Sequence, residues 1–165
     1  MWLKGVLIGK GHEVWLPQLP DCDTPSTITY NKFLLSNPHF KIDEDTVLIG
    51  HSSGAVAILN LLQNLPRDVT IQSAVLVSAF RDDLGMNSLD GLFVEPLDFD
   101  KIKQSCSDFT FIQSNDDPYC PLEHAEYLAA KTDGELILFE DQGHFNTERG
   151  PQYKQFPELL QFITV

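Results

Sequence analysis

The chain has 165 residues, the length of one domain and enough to bury about 68–70% of its unfolded surface. With 42% hydrophobic and 21% charged residues, and ten Gly and ten Pro, collagen-like, disordered and coiled-coil readings fail, leaving a soluble globular protein. Twenty-four acidic residues against eleven basic ones give a net charge of −13, which repels phosphate backbones and anionic headgroups and argues against nucleic-acid and membrane partners.

The first residues, Met1-Trp2-Leu3-Lys4-Gly5-Val6-Leu7-Ile8-Gly9, lack a basic leader and a small-residue cleavage site, so they read as no signal peptide. No apolar stretch approaches the roughly 18–20 residues needed to span a bilayer. Further along, short runs rich in Val, Ile, Leu and Phe predict strands at Glu13–Pro17, Thr46–Gly50, Ser73–Ser78, Phe109–Ser114 and Glu135–Phe139. Amphipathic patterns predict helices at Ser53–Leu65, at Leu122–Lys131 and from Phe156 to the end. Strands alternating with helices predict one α/β domain over residues 1–165, a mostly parallel sheet with helices on both faces. The stretch from Phe80 to Cys106 breaks the rhythm with Asp, Gly and turn residues, holding at most a helix near Phe99–Gln104. Such excursions leave from the carboxyl ends of parallel strands, where ligands bind, so Phe80, Leu92 and Phe93 are candidate walls of a substrate pocket.

Gly50-His51-Ser52-Ser53-Gly54 matches G-x-S-x-G between a predicted strand and a predicted helix. That setting holds a serine in a strained turn with its hydroxyl exposed, and Gly50 and Gly54 let neighbouring backbone pass close. Ser52 is the candidate nucleophile. The N–H of Ser53, at the start of the helix, is a candidate oxyanion donor that the helix dipole reinforces.

A serine hydroxyl needs a base, and the base needs a carboxylate to orient it. Of five histidines, His12, His39 and His124 read as surface residues, and His51 lies inside the turn on the wrong side to serve its neighbour. His144 follows the last predicted strand in Asp141-Gln142-Gly143-His144-Phe145-Asn146, read as a flexible loop at the same sheet edge as Ser52. The acid belongs between Ser52 and His144 at a strand's carboxyl end. Asp116 and Asp117 both qualify; Asp117, preceding Pro118, is preferred and Asp116 is the alternative. Asp82 and Asp83 read as solvated loop charges that bias a pocket against anionic substrates. Cys22, Cys106 and Cys120 are odd in number and widely spaced, which argues against a disulfide framework and a zinc site and for a reducing cytoplasm.

Four stretches in order carry a resemblance: Thr46-Val47-Leu48-Ile49-Gly50-His51-Ser52-Ser53-Gly54-Ala55, Ala74-Val75-Leu76-Val77-Ser78-Ala79-Phe80, Asp116-Asp117-Pro118 and Asp141-Gln142-Gly143-His144-Phe145. Together they resemble the retinoblastoma-binding protein nine family of small serine hydrolases, from about Trp2 onward. The resemblance implies an alpha/beta-hydrolase fold without a large lid, Ser52 as nucleophile, His144 as base, Asp117 as orienting acid, and no metal or cofactor. Pocket-protein binding is not carried over, because the L-x-C-x-E motif is absent and Phe40-Lys41-Ile42-Asp43-Glu44-Asp45 stands in its place. No protein partner is assigned.

Family members begin with a strand and a Gly-rich loop that supplies a second oxyanion donor. Here Trp2-Leu3, Leu7 and Gly11-His12-Glu13-Val14 resemble the helix after that loop and the turn beyond it, so the expected sheet lacks its first strand. Taken alone, the residues also fit a strand at Val6–Ile8 turning at Lys10-Gly11 into Val14–Leu16. The expectation is a truncated form or fragment of a hydrolase that cleaves small ester, thioester or amide substrates through an acyl-enzyme. The alternative is a catalytically silent alpha/beta-hydrolase module with a ligand- or protein-binding role. A flavodoxin-like nucleotide binder would need a Gly-rich loop after its first strand, and there is none.

Overall fold

A computed structural model describes residues 2–163; Met1, Thr164 and Val165, including the last two positions of the helix expected from Phe156, lie outside the described residues. Four strands form one parallel sheet: β1 (Val47–His51), β2 (Ile71–Val77), β3 (Cys106–Ser114) and β4 (Glu135–Phe139), in spatial order 1-2-3-4. Because the order runs steadily in one direction and crossovers are right-handed, the three connecting helices must fall on one face. They do: α3 (Ser53–Leu62), α4 (Phe99–Gln104) and α5 (Leu122–Thr132) pack through Leu59, Leu62, Ile102 and Leu128 against Ala74, Leu76, Phe109 and Phe111.

The strand residues between those positions point the other way, since successive side chains alternate across a sheet. Val75, Val77 and Ile112 need a separate cover, and the chain's two ends provide it: α1 (Trp2–Gly9) through Leu7, and two 3₁₀ turns, Pro151–Lys154 and Pro157–Phe162, through Leu159. The N-terminal segment is therefore a helix rather than a Val6–Ile8 strand. Below Phe156 the expected long helix is replaced by the short Pro157–Phe162 turn, which brings Phe156 and Phe162 both onto Phe139.

Glu13–Pro17 is not a strand. The segment is irregular and pairs with no strand among the described residues, so β1 is a sheet edge. Its side chains explain the apolar signature: Val14 joins the cluster under the sheet, and Trp15 packs on Phe33 and Phe40 at 6.1 and 5.6 Å between ring centroids. Phe33 belongs to an element the periodicity missed, α2 (Thr27–Leu35). Its signal was the cap: Ser26 has extended backbone, and its hydroxyl accepts the Thr29 N–H.

Parallel strands end at one edge. Each ladder here continues one hydrogen bond past its strand, Ser52 N–H to Val77 O, Ser78 N–H to Ile112 O and Asn115 N–H to Phe139 O. The residues that follow β1, β2, β3 and β4 are thereby held side by side.

Candidate active site

Ser52 sits in the turn between β1 and α3 with φ 56° and ψ −124°, a strained conformation for a residue with a side chain. Its neighbours hold it there. A Cβ on Gly50 would meet the Gly54 carbonyl at 2.6 Å and Ile58 Cδ1 at 2.7 Å, so β1 and α3 approach as closely as only glycine permits. Gly54 is different: a Cβ there would meet nothing within 4 Å, so the close approach expected of both glycines belongs to Gly50 alone. The N–H of Ser53 opens α3, where the first turn has no acceptor within the helix. The Ser52 hydroxyl makes no capping hydrogen bond to α3.

Asp117 and His144 meet. The His144 Nδ1 lies 2.9 and 3.1 Å from the two Asp117 carboxylate oxygens, with the residue 8% exposed. Four further donors converge on that carboxylate: the backbone N–H groups of Tyr119 and Cys120, the Ser78 hydroxyl at 2.8 Å and the Gln113 amide at 3.3 Å. Burial pushes the Asp117 carboxyl up, but hydrogen bonds from His144, Cys120, Tyr119 and Ser78 outweigh it and leave the group below its ordinary range. An ionised Asp117 accepts a hydrogen bond from Nδ1–H, the tautomer that leaves Nε2 of His144 as the proton acceptor.

Asp116 does something else. Its carboxylate accepts the Ser114 hydroxyl and the Gly143 N–H, both at 2.7 Å, and pairs with Arg149 at 2.9 Å. The Ser114 and Gly143 hydrogen bonds hold it below its ordinary range. Asp141 N–H bonds the Asn115 side chain and Gln142 N–H the Ser114 hydroxyl, so three consecutive amides of the His144 loop are tied to the end of β3. The backbone takes positive φ at Asp141, Gly143 and Phe145. The loop expected to be flexible is strapped down, and His144 is buried within it.

His51 also participates. Its Nε2 lies 2.8 Å from the His144 carbonyl, and the two imidazoles meet at 4.6 Å between centroids, tilted by 51°. His51 keeps exposed surface, but the loss of water around its ring and the neighbouring His144 push it below its ordinary 6.5, and a carbonyl can only accept, so the neutral ring donates Nε2–H. His124, read as a surface residue, is buried, its Nδ1 accepting the Arg81 N–H at 3.4 Å.

The expected pocket walls divide. Phe80 and Leu92 are fully buried in a cluster with Tyr30, Val56 and Cys120 and offer no surface to a substrate. Phe93 is half-buried and meets Phe80 at 5.9 Å between tilted rings, so it alone of the three retains open surface. Sequence reasoning missed Ser78, Gln113 and His51. Ser78 carried a faint signal, a small polar residue closing the apolar run of β2; Gln113 carried one too, an amide inside the apolar run of β3.

Asp117, Cys120 and His144 each bring one donor atom within 4.8 Å of the others. They make a poor cation site: burial pushes the Cys120 thiol far up, and the Asp117 oxygens are already engaged. All three cysteines are free thiols, with Cys22 exposed and Cys106 and Cys120 buried. No helix among the described residues is long and apolar enough to cross a membrane.

A parallel sheet with helices on both faces, a strained serine between strand and helix, and a histidine on a buried carboxylate past later strands are the features of an alpha/beta hydrolase. The serine hydrolase family profile matches residues 24–164, and the chain belongs to that family. It is 31% identical over 162 residues to serine hydrolase RBBP9 of Rattus norvegicus, covering 97% of this chain and 81% of that one. The ydeN gene product of Bacillus subtilis superposes with a TM-score of 0.88 at 27% identity, over 98% of this chain and 86% of that one. The alpha/beta hydrolase MGS-MChE2, from a lagoon-sediment metagenome, shares the fold at a TM-score of 0.63 and 18% identity, over 97% and 81% of the two chains.

Proposed function

We propose that Ser52, His144 and Asp117 form the catalytic triad of a hydrolase that cleaves small ester, thioester or amide substrates through an acyl-enzyme. The observation that carries this reading is the His144–Asp117 hydrogen bond at 2.9 Å at the same sheet edge as the strained Ser52. His144 Nε2 takes the hydroxyl proton as Ser52 Oγ bonds to the acyl carbon, and the resulting imidazolium is stabilised by Asp117. The Ser53 N–H faces the developing oxyanion. Collapse of the tetrahedral intermediate expels the alcohol, thiol or amine, which leaves with the proton from His144. Water then repeats the sequence, freeing the acid and restoring Ser52. Phe93 borders the acyl site, and the charge of −13 favours neutral or cationic substrates over anionic ones. Three free thiols fit a reducing, cytoplasmic setting.

A second reading, a silent module that binds a ligand or protein, draws on the absence, among the described residues, of a hydrogen bond between the Ser52 hydroxyl and His144, whose ring bonds Asp117, and on Ser53 being the single oxyanion donor identified. A fluorophosphonate probe separates the two. Covalent labelling of the full chain that disappears in Ser52→Ala supports the hydrolase; equal, background labelling of both proteins sinks it.

A further inference from the structure

Neighbouring strands lie about 4.8 Å apart, so His144, which follows β4, belongs to an edge about 14 Å from the end of β1, where Ser52 lies. Its loop has to lean back across β3 and β2 to serve the serine. The ties to Asn115, Ser114 and Asp116 anchor it no further than the end of β3, and Asp117 lies past β3 too. None of these bonds reaches β1. One side chain of β1 does: His51, the last residue of the strand, donates Nε2–H to the His144 carbonyl at 2.8 Å and sets its ring against the imidazole at 4.6 Å, tilted by 51°.

We infer that His51 is a positioning residue for the proposed triad, the link that draws the His144 loop across the sheet and sets the imidazole over Ser52. The inference rests on the hydrolase reading above. It also gives the residue between Gly50 and Ser52 a reason to be histidine. The position reaches a backbone carbonyl with a donor and packs a ring against the imidazole; phenylalanine supplies only the ring, glutamine only the donor. The hydrogen bond of His51 goes to the His144 backbone rather than to its ring nitrogens. It acts through the placement of His144, so its loss lowers turnover while leaving ground-state binding in place.

The test uses the full chain and three variants, His51→Phe, His51→Gln and His51→Ala, with Ser52→Ala as the reference for zero catalysis. The readouts are fluorophosphonate labelling rate, kcat and KM on a p-nitrophenyl ester, and the low-field proton resonance of His144 Nδ1–H. Losing one positioning hydrogen bond is expected to slow labelling and kcat about tenfold in His51→Phe with KM unchanged. The low-field resonance should broaden or shift, and His51→Gln should recover at least half of the lost rate. A His51→Phe protein that labels at the parent rate with its resonance intact overturns the inference, as does a glutamine variant no better than alanine. If the parent labels no faster than Ser52→Ala, the hydrolase reading has failed, and the resonance still decides the link: unchanged in His51→Phe and His51→Ala, it overturns the positioning role; displaced in both and restored by glutamine, it supports it.

Discussion

The two loops that carry the proposed nucleophile and base leave the same sheet edge and are held by opposite means. The Ser52 turn is fixed by contact between backbones: Gly50 against Gly54 and Ile58, with the strain of φ 56° stored at the serine. The His144 loop is fixed by polar straps, three amides and Arg149 bound to the end of β3 and one carbonyl bound to His51. A sterically fixed turn tolerates no added atom at its contact point, whereas a strapped loop loses its hold one hydrogen bond at a time.

The sharpest break in that comparison comes from the adjacent acids. Asp117→Asn keeps the shape but not the charge or the tautomer preference of His144, and kcat should fall about 10⁴-fold. Asp116→Asn loosens only a strap and should cost about tenfold or less, since one weakened hydrogen bond contributes about 0.5–1.5 kcal/mol. Steady-state rates on one ester measure both. Equal losses would show that the strap, rather than the charge, is what the loop depends on.

The next effect falls on the two glycines of the serine turn. Gly50→Ala would place a Cβ 2.6 Å from the Gly54 carbonyl, and relief requires β1 and α3 to move apart. Overpacking of this kind costs about 1–3 kcal/mol, read as a lower urea midpoint. Gly54→Ala enters open space inside a helix and should gain up to about 1 kcal/mol. A Gly54→Ala protein as destabilised as Gly50→Ala would mean that the turn is held from both sides.

The same contrast explains what the sequence disclosed. Contact-fixed features restrict residue type locally, so Gly50, Ser52 and the strand-to-helix setting were legible. So were the later strands, whose apolar runs reflect burial on both faces. Polar straps join residues far apart in the chain, and neither Asp116 nor His51 carries a local mark of its partner. Asp116 and Asp117 were adjacent candidates separated in the sequence only by Pro118 after the second, and the directions of their carboxylates show what each one binds. Glu13–Pro17 failed for a related reason: Val14 and Trp15 are apolar because they pack, and packing alone does not make a ladder. Phe80 and Leu92 were apolar for the core under the loop, and only Phe93 kept open surface.

The smallest expected effect is in the pH dependence of stability, and it separates the strap from the carboxylate it serves. The groups facing His51 are His144 and Asp117. His51 has an unfolded-state pKa near 6.5 and a lower one in the fold, so the unfolded chain binds the proton first as pH falls. Its contribution is fully present above 6.5 and is lost progressively below it, down to its folded pKa. Asp117, also depressed from an ordinary 3.8, contributes above that value and loses its contribution only in stronger acid. Urea midpoints measured from pH 8 to pH 3 should therefore show two separate declines. His51→Phe has no proton to take up in the upper window, so its midpoint should hold steady while the parent's falls, and the gap between them should change below pH 6.5 and stay constant above it. Parallel curves through that window would mean that the His51 ring is as free to protonate in the fold as in the unfolded chain, which the loss of water around it and the imidazole 4.6 Å away argue against.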